Sequence, residues 1–340
     1  MPAAQGPWKS TRRQVLAVAA GTALLAALAS PALAQANGDD GWPNRPIRMV
    51  VPYPAGGSAD AVARRFAIKL GESLGQTVVI DNRPGASGNI GTLDVMRARP
   101  DGYTLLLNPS AHVINPEISD KSPYRALEDF TPISQVAKGP LVLIVTPSLP
   151  VRTPIELAQL AKARPDSITF ATSVIGSASH IAEELFNRVA NVNILIVPYK
   201  GNAPAITDLM GGQVTAMFDP AVTSVPLVKS GKLKALAVTG RTRLASAPEI
   251  PTTEETGLKG LEFYTWYGLW APKGLPEALA ARLEKAARQV AGDAAFRQAM
   301  RDNGLEPVGS GRKAFADLIR QESALYRSIA RQSNIRASAN

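Results

Sequence analysis

The chain has 340 residues, 45% of them hydrophobic, and 37 Lys and Arg against 28 Asp and Glu, for a formal net charge of +9. It has no cysteine and two histidines, which excludes disulfides and a lipid-bearing cysteine and argues against a dense zinc site. The basic residues are spread along the chain and form no nucleic-acid stripe.

The first element is an export leader. Lys9, Ser10, Thr11, Arg12, Arg13, Gln14, Val15 and Leu16 place a paired arginine before a leucine, the pattern of a twin-arginine signal. Val15 and Ala17 stand where that pattern often carries Phe and Lys, so Arg12 and Arg13 also read as the basic end of a general signal. The alanine-rich run at 15–29 is shorter than the roughly 20 residues that span a bilayer. Ala32 and Ala34 form an A-x-A cleavage site, and Ala34 and Ala36 form a second. The expectation is a signal peptide at 1–34, cut after Ala34 or Ala36, and a free periplasmic protein. The leader holds three basic residues and no acid, so the mature chain keeps +6 of the +9.

After a polar linker at 37–41, short apolar runs alternate with helical spacing. Strands are expected at 47–51, 77–80 and 103–107, with helices at 61–74 and 92–98, an order that implies parallel α/β architecture. A strand at 141–145 is followed by a helix that Thr153 and Pro154 open. Strands at 168–171, 193–197, 214–218 and 235–238 and helices at 181–189 and 203–210 come next. A strand at 267–272 and a helix at 277–290 repeat the earlier layout. The strands at 141–145 and 267–272 read as the two that enter and leave a second domain. The mature length, about 300 residues, also exceeds the usual size of one core. The expected division is 42–141 and 265–330 for the first domain, 142–264 for the second, and 331–340 for a polar tail.

Three loops share one design: each follows a strand, is rich in Gly, Ser or Ala, and opens a helix. They lie at 54–60, 82–91 and 173–180. Glycine lets the backbone approach a ligand closely, and a helix start offers unpaired N–H groups with partial positive charge. In an open α/β sheet such loops gather at the carboxyl ends of strands, where ligands bind. Any one of them alone reads as an ordinary capped turn, with Ser58 or Asp60 as the cap. Three of them facing an interdomain cleft point to a carboxylate site. There is no G-x-S-x-G nucleophile elbow, no P-loop and no G-x-G-x-x-G, so no enzyme and no cofactor is expected. Ser177 and His180 have the spacing of a hydrolase pair, but His180 reads better as a packing residue or a lining of the cleft.

The loops occur as Val51-Pro52-Tyr53-Pro54-Ala55-Gly56-Gly57-Ser58-Ala59-Asp60 and Asn82-Arg83-Pro84-Gly85-Ala86-Ser87-Gly88-Asn89-Ile90-Gly91. Asp101-Gly102-Tyr103-Thr104-Leu105, Val197-Pro198-Tyr199-Lys200-Gly201 and Trp266-Tyr267-Gly268-Leu269-Trp270-Ala271-Pro272 follow in order. Over essentially the whole mature chain this resembles the Bug-type periplasmic solute-binding proteins of tripartite tricarboxylate transporters. The resemblance implies a fold like that of type II periplasmic binding proteins, two α/β domains joined by crossing strands with a ligand cleft between them. It implies a ligand carboxylate held by backbone groups and ordered waters at Tyr53, Ala55, Gly56, Gly57, Ser58, Ala59, Asp60, Ala86, Ser87, Gly88 and Asn89. Ser110, Ser173, Gly176, Ser177 and Asp219 would meet the ligand's other end. Val174 and Ile175 depart from the small residues common there, which implies a tighter or more apolar pocket, for an aromatic or branched acid. The implied partners are a small organic acid and the membrane permease subunits, and the implied state is a monomer. A sensor that reports the same ligand to a receptor is the alternative role.

Overall fold

Residues 1–3, 41–119 and 122–332 are described by the structure, a computed structural model. The expected leader beyond residue 3, with its twin-arginine pair and cleavage sites, lies outside the described residues, as do residues 333–340 of the expected tail. No helix among the described residues is long and apolar enough to cross a membrane.

In the unit that begins at Gly41, the expected strand–loop–helix pattern is realised, with most element ends shifted by a few residues. The chain runs β1 (Ile47–Val51), α1 (Ser58–Leu74), β2 (Val78–Asn82), α2 (Asn89–Met96), β3 (Thr104–Pro109), α3 (Ala111–Ile118) and β4 (Phe130–Val145). It continues through α4 (Pro154–Ala163), β5 (Thr169–Thr172), α5 (Ala178–Ala190), β6 (Leu195–Pro198), α6 (Asn202–Met210), β7 (Ala216–Pro220), α7 (Ala221–Lys229) and β8 (Lys234–Val238). Last come β9 (Tyr264–Pro272), α8 (Glu277–Gly292), α9 (Ala294–Asp302), β10 (Glu306–Pro307) and α10 (Arg312–Gln332).

One sheet orders the strands β2-β1-β3-β9-β4-β7-β5-β6, with β8 and β10 also paired to β4. The expected parallel pairing holds within two segments: β1 with β2 and β3, and β5 with β6 and β7. It does not hold between them. β9 pairs antiparallel with both β3 and β4, and β4 pairs antiparallel with β7. The reason is directional: β4 leaves the first segment and β9 returns to it, so side by side they run oppositely.

The first half of β4 escapes sequence reading because Thr131, Ser134, Gln135 and Lys138 interrupt its apolar pattern. Pro132 sits at a register shift against β9, where a missing N–H is tolerated. Ser134 and Gln135 are buried, and Ser310 pairs with both: Ser134 Oγ donates to its carbonyl at 2.8 Å, and its Oγ accepts the Gln135 N–H at 2.9 Å.

Helices α3 and α7 were hidden by Pro116 and Pro226, which lie inside them and read as breakers. In α3 the carbonyl of His112, which the proline leaves without its usual helical donor, accepts the Tyr124 hydroxyl at 3.1 Å. His112 is fully buried, stacked on Tyr124 at 4.9 Å and 4.5 Å from the Trp270 ring centre.

Helix α4 begins where Thr153 and Pro154 place it. The Thr153 hydroxyl accepts the Glu156 N–H at 3.1 Å, and the Glu156 carboxylate accepts the Arg152 N–H at 2.6 Å. Such reciprocal caps satisfy donors that a helix start leaves unpaired. Thr153→Ala is expected to lower stability by about 1 kcal/mol, read by urea denaturation; an unchanged midpoint would contradict the cap.

Candidate functional site

The β1–α1 loop turns at Gly56, whose φ is +82°, a conformation that glycine adopts without strain. The Gly56 N–H and Arg64 Nε both donate to Asp60 Oδ2 at 2.9 Å. Asn82 Nδ2 donates to Asp60 Oδ1 at 3.1 Å and to the Tyr53 carbonyl at 3.0 Å. Burial pushes the Asp60 carboxyl upward, but the hydrogen bonds from Arg64, Gly56 and Asn82 outweigh it and hold it below its ordinary value. Asp60 is thus a charged staple for the loop, and it does not line the cleft.

A cleft of about 40 Å³ opens beside this loop, room for about three waters. Tyr53, Gly57, Ser58 and Ala59 line it from the first loop. Pro109 and Ala111 come from the end of β3, and Thr265 comes from β9. Ser173, Val174, Ser177, Ala178 and Ser179 come from the loop after β5, and Asn202 and Pro220 complete the wall. Both parallel segments therefore contribute strand ends to one cavity.

No lining residue carries a charge. What the cavity does collect is helix starts. Ser58, Ala111, Ala178 and Asn202 are the first residues of α1, α3, α5 and α6, and Pro220 precedes α7. Five helices thus direct their N-terminal ends at the cleft. Gly57 and Gly201, which precede α1 and α6, offer no side chain to cap them. Free N–H groups and partial positive charge at such ends favour an anion.

The expected second loop lies outside the lining. Gly85, Ala86, Ser87 and Gly88 all have positive φ, at 126°, 47°, 54° and 91°, and Ala86 and Ser87 carry the strain of that conformation. Ala86 is exposed, Ser87 and Asn89 are half-buried, and Gly88 is buried. A Cβ at Gly88 would come 3.0 Å from Tyr53 Oη, so this loop supports the Tyr53 wall. Asn115 joins it to the third loop: its Nδ2 donates to the Ser87 carbonyl at 2.9 Å, and a Cβ at Gly176 would overlap its Oδ1.

The other expected residues divide in the same way. Ser173 and Ser177 line the cavity; Ala55, Gly56, Ser110, Gly176, His180 and Asp219 do not. Ser110 is buried, with its hydroxyl 3.4 Å from that of Thr265. Ser177 caps α5, accepting the His180 N–H at 3.2 Å, and its hydroxyl also meets Thr172 Oγ1 at 3.2 Å. His180 Nδ1 accepts the Gly176 N–H at 3.3 Å, and Nε2 lies 3.8 Å from Glu184. Burial pushes the His180 imidazole down to about 4, so near neutrality the ring is uncharged, with its proton on Nε2. Both ring nitrogens face partners other than the Ser177 hydroxyl, and the hydrolase pair that the spacing allowed is not formed.

Asp219 sits fully buried at the end of β7. Burial pushes its carboxyl up to about 7, against the pull of hydrogen bonds from Thr223, Asn202 and Ser224. Sequence reading missed Asn202, Pro109, Ala111, Pro220 and Thr265. Asn202 had a usable signal, since Gly201 and Asn202 follow β6 and open α6 in the same strand–glycine–helix design as the three chosen loops. Val174, singled out for its size, is buried and gives the cleft an apolar wall.

A cleft at the carboxyl ends of strands from both segments is where open α/β sheets bind small ligands. Residues 62–335 match the family described as "Tripartite tricarboxylate transporter family receptor", and the chain belongs to that family. The periplasmic binding protein BugD is similar over 87% of this chain and 100% of its own, with a TM-score of 0.84 and 36% identity. R. palustris Rpa4515, solved with adipate, is similar over 87% of this chain and 99% of its own, with a TM-score of 0.84 and 35% identity. MatC (Rpa3494) from Rhodopseudomonas palustris, solved with bound malate, is similar over 85% of this chain and 99% of its own, with a TM-score of 0.80 and 32% identity.

Proposed function

We propose that this protein captures a small organic acid in the cleft and delivers it to the membrane permease of a tripartite transporter. The observation that carries this reading is the convergence of five helix starts on a cavity without charged side chains. Each terminus contributes up to about 2 kcal/mol toward an anion when partly buried, and charge-assisted hydrogen bonds add about 1.5–3 kcal/mol each. After ordering costs, two or three such contacts reach micromolar affinity, about −8 kcal/mol. The adipate- and malate-bound relatives support an acid as the ligand class.

In this reading the protein is a monomer, exported by the leader at 1–34, cut after Ala34 or Ala36 and free in the periplasm. Residues 42–141 with 265–330 form one lobe and 142–264 the other. A ligand that touches both lobes at once stabilises the closed state, and the permease recognises that state. The protein binds and does not turn over its ligand; the hydrogen bonds of His180 support this, because they leave Ser177 without a base.

Melting the purified mature protein against di- and tricarboxylates, amino acids and aromatic acids tests the proposal. A true ligand at a hundred times its Kd adds about 2.7 kcal/mol, a rise of several degrees for a chain of this size. If no acid shifts the melt or the tryptophan fluorescence at millimolar concentration, the carboxylate reading fails. Ester hydrolysis that disappears in His180→Ala would overturn the non-catalytic reading.

A further inference from the structure

Gly201 ends the loop between β6 and α6, with φ +145° and ψ 173°, a backbone that glycine alone adopts without strain. A Cβ there would stand 2.6 Å from Cδ and 3.0 Å from Cγ of Pro54, in the loop between β1 and α1. The two loops come from the two parallel segments of the sheet. They also meet at the next pair of residues: a Cβ at Gly57 would lie 3.5 Å from Asn202 Cβ and 3.9 Å from the Ala203 nitrogen.

Each loop is held by its own segment. The Tyr199 N–H donates to the Thr172 carbonyl at 3.0 Å, the Tyr199 hydroxyl donates to Asp208 at 2.8 Å, and Asn202 Nδ2 donates to Asp219. On the other side Asn82 Nδ2 donates to the Tyr53 carbonyl at 3.0 Å, and the Gly56 N–H donates to Asp60 at 2.9 Å. Among the described residues no hydrogen bond joins residues 54–57 to residues 199–203. The contact between the loops is therefore van der Waals contact alone, and it can be made or lost with every hydrogen bond of both loops intact. The Pro54 ring cannot turn aside, because its Cδ is bonded to the backbone nitrogen. A methyl group at position 201 would have to push the two segments apart, by about 1 Å to restore an ordinary carbon–carbon distance.

We infer that Gly201 is a positioning residue for ligand capture: its bare backbone admits the Pro54 ring, and this contact sets the start of α6 beside the start of α1 in one wall of the cleft. Ser58 and Asn202, the first residues of those two helices, both line the cavity. The inference rests on the two-lobe, acid-binding reading above and names the place where the lobes meet.

Calorimetric titration with the acid that binds wild type best tests it, with circular dichroism to follow folding. Gly201→Ala is expected to fold and to bind about tenfold or more weakly, the cost of an overpacked contact. Pro54→Ala removes Cγ and Cδ, so in the double variant Pro54→Ala with Gly201→Ala the affinity should return to within about threefold of that of Pro54→Ala alone. Backbone strain at position 201 is the same with or without the proline ring, so only a clash between the loops is relieved in this way. Wild-type affinity in Gly201→Ala overturns the inference, and so does a loss that Pro54→Ala does not relieve; both leave the carboxylate reading standing. A Gly201→Ala protein that does not fold also overturns it, because the residue would then serve the fold of its own segment. No binding of any acid by wild type overturns both readings.

Discussion

Gly57→Val is expected to abolish acid binding, by at least a hundredfold, in a protein that still folds. Gly57 has an extended backbone, φ −83° and ψ 174°, so any residue can adopt its conformation. A Cβ there would sit 3.5 Å from Asn202 Cβ and 3.6 Å from the Pro54 carbonyl, ordinary van der Waals contact. Alanine therefore fits, and Gly57→Ala should keep binding to within about tenfold. The two further methyl groups of valine have no such room. They press on Asn202 and enter the cleft beside the first N–H groups of α1. Calorimetry on the acid that binds wild type best, with circular dichroism and a melting curve for each variant, separates binding from folding. Wild-type affinity in a folded Gly57→Val would sink the placement of the carboxylate at this loop.

The second large effect concerns stability against pH. Asp219 is raised by burial to about 7, whereas an unfolded aspartate titrates near 3.9. Between those values the folded protein holds a proton that the unfolded chain has released. The group's contribution to stability is therefore fully present below about 4, falls as pH rises and levels off above about 7. Asp219→Asn removes the ionisation and keeps an oxygen for Asn202 Nδ2. The variant should gain on wild type by a few kcal/mol, roughly, between pH 4 and pH 8. Urea denaturation of both proteins at pH 4.5, 6 and 8 measures this. A stability difference that does not change with pH would show that Asp219 does not titrate in this window.

The local design of the cleft was legible because it is written in short segments. Glycine after an apolar run, then Ser or Ala opening a helical period, marks the starts of α1 and α5, and the lining residues Gly57, Ser58, Ala59 and Ser177 follow from it. Ala86, Ser87 and Gly88 have the composition of an anion loop, yet they brace Tyr53 and Asn115 outside the lining. Asp60 reads as a cap or a ligand group, and becomes the staple of Gly56 because Arg64 and Asn82 reach it from elsewhere. Helices α3 and α7 were illegible because their prolines look like breakers, and only the partner of the His112 carbonyl, Tyr124, shows how one of them is accommodated.

By itself the sequence determined the order of most strands and helices, the loops able to start a helix against an anion, and the resemblance to a transporter-receptor family. These depend on periodicity and composition within a few residues. The tertiary structure decided which of those loops share a cavity. The antiparallel placement of β4 against β9, in the middle of the sheet, brings the ends of β1, β3, β5 and β7 to one cleft, and no local pattern carries that. It also decided the partners of Asn202 and Asp219, residues 17 apart in sequence, whose pairing leaves one amide oxygen without a donor. A buried polar atom takes its meaning from its neighbours, and only the fold supplies them.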